Sequence, residues 1–137
     1  MRNFIVIILC LSISSSFAQQ IPAKAKESFM SRFPKAANVK WEKDGKNSFE
    51  ANFKENATSK SANFATNGDW QETETEMAGT DLPKNILEAI QKKYPKGKIV
   101  GGAKIELANK EIHYEADVKN GKKKMEVILS EKGEFIK

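Results

Sequence analysis

The residues with chemistry to offer in this 137-residue chain are one histidine, two alternating acidic runs and a knot of lysines. His113 is the only histidine. Glu115 and Asp117 follow it at strand spacing, which turns all three to one face. A metal centre, or a general base steered by a carboxylate, would start from such a set. Zinc, however, prefers four ligands dominated by His and Cys. No nucleophile elbow, Gly-rich phosphate loop or paired metal motif accompanies the set. We therefore expect a solvated strand face, with no catalytic residue, no metal ligand and no cofactor. Glu72, Glu74 and Glu76 alternate in the same way. Calcium asks for six or more oxygens gathered by a folded loop, so these glutamates are expected on an exposed strand where like charges discourage edge pairing. Lys119, Lys122, Lys123 and Lys124 surround the Asn120-Gly121 turn. They could steer an acidic partner or touch a membrane surface, although a solvated turn is the simpler expectation.

Those residues sit in a chain that is 39% hydrophobic and 30% charged, the balance of a globular domain. The first eighteen residues differ. Arg2 precedes an apolar run from Phe4 to Ile13, and small residues at Ser16 and Ala18 suit a signal-peptidase cut before Gln19. The run is too short to span a bilayer, which takes about 20 residues. Residues 1–18 are expected to be a cleaved signal peptide, leaving no membrane span after processing and a periplasmic or secreted product. Cys10 would leave with it. Leu9, not a small residue, precedes Cys10, which argues against lipidation. The mature chain would then lack cysteine, and its stability would come from apolar burial without disulfides. The formal charge of +5 drops to +4 when Arg2 is removed. Those lysines are scattered among glutamates, so no basic stripe points to nucleic acid.

The elements that position these residues come in two sets. Ile21-Pro22, Glu27 and Phe33-Pro34-Lys35 return 61 residues later as Leu82-Pro83, Glu88 and Tyr94-Pro95-Lys96. Phe49-Glu50-Ala51, Gly68 and Trp70 return 65 residues later as Tyr114-Glu115-Ala116, Gly133 and Phe135. Four extra residues therefore lie between helix and second strand of the second set, around Gly101-Gly102 and Ala108 to Lys110. Each set opens with a helix whose apolar stripe recurs every four residues: Ala25, Phe29, Phe33, and then Ile86, Ile90, Tyr94. Pro34 and Pro95 stop the helices. Alternating strands follow, divided by Asp44-Gly45, Asn67-Gly68 and Asn120-Gly121 turns. Trp41, Phe49, Phe53 and Phe64 have core periodicity, and Trp41 is expected beneath the first helix. Ala103, Ile105 and Leu107 are expected to face a helix as well. The reading is α+β, with two tandem units (19–80 and 81–137), each a helix on a four-stranded antiparallel sheet. A unit of about 60 residues is marginal alone, so the two would share a core or a continuous sheet.

The order of Ile/Leu-Pro, helix, aromatic-Pro, Trp41-Glu42, Phe49-Glu50-Ala51, Gly68-Asp69-Trp70 and Glu72 to Glu76 resembles the PepSY-like family of exported bacterial proteins, beta-lactamase-inhibitor-like in description. The resemblance implies a signal peptide and a tandem helix-and-four-strand unit. It also implies kinship with inhibitory domains of secreted peptidase precursors, and with an inhibitor that grips its enzyme on an open sheet face. It implies no shared activity, because fold does not fix function. We expect a non-enzymatic binding or inhibitory module whose partner is an extracytoplasmic protein or peptide. The candidate face is Lys40, Glu42, Glu50, Asn52, Trp70, His113, Glu115 and Asp117. This face is mainly charged, whereas inhibitory faces usually carry several aromatic anchors. The alternatives are a small-ligand carrier of the cell envelope, which would want a deep apolar pocket, and an enzyme with no recognisable site.

Overall fold

The computed structural model describes residues 20–136, so the expected leader and its cut after Ala18 lie outside the described residues. Helix α1 (Ala23–Arg32) leads into strands β1 (Ala37–Asp44), β2 (Ser48–Glu55), β3 (Thr58–Ala65) and β4 (Trp70–Met77). A short 3-10 turn at Gly79–Asp81 connects to helix α2 (Lys84–Lys93), then to β5 (Lys98–Leu107), β6 (Ile112–Asn120) and β7 (Lys123–Ser130). Pro22 and Pro83 stand at the helix N-caps. At the other ends the Phe33 and Tyr94 N–H groups donate to Phe29 and Ile90 carbonyls, both at 2.8 Å, before Pro34 and Pro95 stop the turn. No helix among the described residues is long and apolar enough to cross a membrane.

Two separate four-stranded sheets do not form; of the shared core and the continuous sheet, the continuous sheet is what forms, with seven strands. All seven strands make one antiparallel sheet in chain order, because β4 pairs with β3 on one side and with β5 on the other. Among the described residues, the last stretch of chain makes the single bridge Leu129–Phe135 on the outer side of β7. The sheet is shared, but the core is divided. One cluster joins Ala25, Phe29 and Phe33 of the first helix region to Ala51, Phe53, Ala62 and Phe64. The other joins Leu82, Ile86 and Ile90 to Ala116, Val118, Val127 and Leu129. Trp41 lies where expected, edge-on to Phe29 with ring centres 5.4 Å apart. It is half-buried, because β1 is an edge strand with only β2 beside it.

Contacts in one half return in the other. Phe64 pairs with Trp70 as Leu129 bridges to Phe135. The Arg32 guanidinium lies 3.4 Å from the Trp70 ring centre, and the Lys93 ammonium 3.8 Å from that of Phe135. Gly68 and Gly133 both have positive φ. A Cβ on Gly68 would stand 2.9 Å from the Lys24 carbonyl, and one on Gly133 would stand 3.3 Å from that of Asn85. Glycine is needed there for conformation and for close approach to the first turn of each helix. The halves differ in the β5–β6 hairpin, which runs on to a Leu107–Glu111 loop where β1–β2 turns at Gly45.

The phase of β5 is opposite to expectation. A bulge at Val100 shifts its register, so that Ile99 pairs with Val118 in the second core while Gly101 pairs with Asp117. Beyond it Gly102 pairs with Ala116 on the helix side, where the Leu82 side chain covers it. Ala103, Ile105 and Leu107 are thereby turned to the face without helices. Alternation alone does not register the extra residue that a bulge inserts.

Candidate functional site

The face away from the helices is built by alternation from all seven strands. Lys40, Glu42 and Asp44 of β1 pair with Asn52, Glu50 and Ser48 of β2. Asn52 and Glu50 in turn pair with Ser61 and Asn63 of β3, which pair with Glu74 and Glu72 of β4. Glu72, Glu74 and Glu76 then face Leu107, Ile105 and Ala103 of β5. On the far side Ala103, Ile105 and Gly101 pair with Glu115, His113 and Asp117. Glu126 and Ile128 of β7 complete the row.

Seven of the eight expected face residues therefore share this surface, and the structure brings them together in two groups. Lys40, Glu42, Glu50 and Asn52 form one. The Asn52 amide donates to Glu42 Oε1 at 3.0 Å and to Glu50 Oε2 at 3.4 Å. His113, Glu115 and Asp117 form the other. His113 Nε2 lies 3.6 Å from Glu111 Oε2, and Asp117 takes the Lys124 ammonium at 3.2 Å. Trp70 is the exception. Phe64 pairs with Trp70 while Asn63 pairs with Glu72, so Gln71 is bulged and Trp70 loses the phase of the glutamates. Its ring covers the first core under Arg32, and its Nε1 donates to Oγ1 of buried Thr73 at 2.9 Å.

The row Glu72, Glu74 and Glu76 is the part that sequence reasoning set aside. Its strand was expected to be exposed and edge-like, but β4 is the central strand of the sheet. The signal was the meander itself. Consecutive antiparallel strands in one sheet place the fourth of seven in the middle. Here the glutamates lie beside an apolar floor. Ala103 is 5% exposed and Ile105 4%. Burial against that floor raises Glu74 to about 7, and the charges of Glu115, Glu72, Glu50 and Glu126 add to the shift. Burial also raises Glu72, helped by Asp44 and opposed by His113. Glu50 is raised mainly by burial. A hydrogen bond with Ser61 pulls it down, and neighbouring Glu42 pushes it up.

Two open clefts flank Glu74 and Glu76. One, of about 400 Å³, is lined by Lys40, Glu50, Asn52, Lys54 and Ser61 among others. The other, of about 290 Å³, is lined by Gly101, Ala103, Glu115 and Asp117. Among the described residues no three His, Cys, Asp or Glu side chains converge at metal-binding geometry. What the arrangement can do is hold positive charge by electrostatics, with apolar surface beneath it.

The profile of a family described as "Putative beta-lactamase-inhibitor-like, PepSY-like" matches residues 47–137. No curated protein matches the chain. Among solved structures, a BLIP-like protein from Bacteroides fragilis is 24% identical with a TM-score of 0.72, covering 88% of this chain and 86% of its own. A DUF2874 family protein from Bacteroides ovatus is 21% identical with a TM-score of 0.75, covering 86% of each chain. A protein from Bacteroides eggerthii described as "putative periplasmic" is 18% identical with a TM-score of 0.77, covering 86% of this chain and 87% of its own. At these identities the likeness is one of fold.

Proposed function

The chain belongs to the PepSY-like, beta-lactamase-inhibitor-like family, and from that premise we propose that it is a non-enzymatic binding module acting in the periplasm or outside the cell. Its open sheet face takes a cationic protein or peptide. The observation that carries this reading is the crowding of Glu74 by Glu50, Glu72 and Glu115 next to buried Ile105. A row of carboxylates on apolar surface is costly when left charged. A Lys or Arg side chain laid across it relieves that cost, its aliphatic stem on Ala103 and Ile105 and its charged head between the acids. The face then sets specificity and association rate more than raw affinity. The small-ligand carrier draws less support, since both clefts on this face are open and polar-walled. We also read residues 19–80 and 81–137 as two copies of one unit, a reading supported by the paired Arg32–Trp70 and Lys93–Phe135 contacts. Export is inferred from the leader pattern of residues 1–18, the basic start and the short apolar run.

The test is capture from the native envelope with the mature domain as bait, followed by the double variant Glu50→Lys, Glu115→Lys. The variant is expected to keep its circular dichroism spectrum and lose the partner, while wild-type binding weakens as salt is raised. Should the double variant misfold, Glu76→Lys, on a more exposed side chain, serves in its place. Capture at wild-type yield by a folded variant would remove the open face from the reading.

A further inference from the structure

The outer edge of β7 carries backbone groups that the rest of the sheet leaves uncovered, a feature independent of the open-face reading. In the first half, β3 is covered along its length by β4, from Lys60–Thr75 to Phe64–Trp70. In the second half the corresponding cover is brief. Ser130 N–H donates to the Glu134 carbonyl, and Ile136 N–H donates to the Ile128 carbonyl, each at 2.8 Å. Antiparallel strands alternate the side to which their backbone groups point. With Ser130 and Ile128 pointing outward, the N–H and C=O groups of Glu126 and Lys124 point outward too. Among the described residues no strand pairs with them on that side. An uncovered edge of this kind is a template for an added strand.

The side chains say which strand. Lys122, Lys123 and Lys124 lead into the edge, Lys119 stands opposite Lys124 on β6, and Glu126 is the only carboxylate on β7. The chain also carries an example of what fills this seat. The strand lying against β3 in the first half is Trp70–Met77, with glutamates at alternate positions. We propose that the outer edge of β7, from Lys124 to Ile128, takes an extended acidic peptide segment of a partner as an additional antiparallel strand. The backbone supplies the hydrogen bonds, and the lysines around Gly121 supply the charge preference. Alternate acidic side chains fall on one face of the added strand, and those at its end nearest Gly121 meet the lysines there, of which Lys124 already pairs with Asp117.

The probe is a fluorescein-labelled peptide with the β4 sequence WQETETEM, paired with its lysine counterpart WQKTKTKM. Fluorescence anisotropy is expected to show the acidic peptide binding at least tenfold more tightly than the basic one, with affinity falling as salt is raised through the range where the screening length drops below about 10 Å. Amide exchange in the complex is expected to slow at Lys124, Glu126 and Ile128. The exposed reversal Lys122→Glu, Lys123→Glu is expected to weaken binding about tenfold without changing the thermal midpoint. Failure to bind, preference for the basic peptide, or protection confined to Glu74 and Glu115 would each overturn the proposal. So would protection of β3 and β5 amides, which signals exchange with the resident β4. Concentration-dependent dimerisation that blocks the peptide would assign the edge to a second copy instead.

Discussion

Glu74 concentrates the logic of the open face in one side chain. It stands across from Ser61 on one strand and Ile105 on the other, so neither neighbour offers it a positive charge. Its proton affinity is raised to about 7 from 4.5, first by burial and then by surrounding carboxylates. The consequence for stability has a definite sign. The folded state holds the Glu74 proton more tightly than the unfolded chain does, so this group favours folding below about 4.5. That contribution declines as pH rises through 7. Above pH 7 the fold carries a crowded charge that the unfolded chain does not. Glu74→Gln removes it. Because the side chain is only half-buried, solvent screening discounts the full linkage value, leaving a gain of about 1–2 kcal/mol at pH 8. Denaturant melts at pH 8 and pH 4.5 check this, since the advantage of the variant should vanish at the lower pH. A variant that is less stable at pH 8, or equally shifted at both values, contradicts the assignment. On the first core, aromatic side chains set a comparable hierarchy. Phe29 touches the rings of Phe33, Trp41, Phe53 and Phe64 at centre distances of 5.0 to 6.1 Å.

That hierarchy becomes testable at the level of the element, because α1 is fastened to the sheet through Phe29 while Trp41 guards the outer edge of the same cluster. Truncating a buried aromatic to alanine costs about 3–5 kcal/mol. Phe29→Ala should fall in that range, and Trp41→Ala should cost less, about 2 kcal/mol, since part of its surface stays in solvent. Equal losses, or a larger loss at Trp41, would mean that β1 is more deeply covered than its exposed neighbours indicate. The helices were fully legible because their signals are local. The four-residue stripe, the proline at the start and the aromatic-proline at the end fix α1 and α2 with no tertiary information. The strands were legible as segments, and β4 begins and ends where alternation places it. What alternation does not encode is the bulge. One extra residue at Gln71 sends Trp70 to the helix side, and one at Val100 sends Ala103 and Ile105 to the open side. Each flip changed the chemistry of the candidate site: it lost an aromatic and gained an apolar floor. The importance of Glu72, Glu74 and Glu76 was hidden for a related reason. Whether a strand is central or at an edge depends on pairing between the halves, and no local pattern reports that.

At the scale of the whole molecule, the β4–β5 seam joins two cores that share no buried side chain. On the helix side the seam is polar, with Thr73 opposite Glu106 and Thr75 opposite Lys104, and Lys104 lies 3.1 Å from Glu106. Met77 at the end of β4 packs on the second core, and along the rest of the join the halves are held by the backbone ladder. A ladder of hydrogen bonds transmits unfolding, because stripping β5 from β4 leaves the backbone groups of both strands unpaired. Side-chain strain does not travel the same way, since among the described residues no buried side chain belongs to both cores. Phe64→Leu in the first core and Ile90→Val in the second should each cost about 1 kcal/mol. Their double variant should add to within about 0.5 kcal/mol while still melting in one transition. Within a single core the outcome should differ. Phe29 and Phe53 lie ring-on-edge at 5.0 Å, so leucine at both positions should depart from additivity by more than about 0.5 kcal/mol, as contacting residues do. Two separate transitions for the wild-type protein would show that the seam does not couple the halves. Strong non-additivity between Phe64 and Ile90 would show instead that the cores communicate through packing, and the open face above the seam would then report on both helices at once.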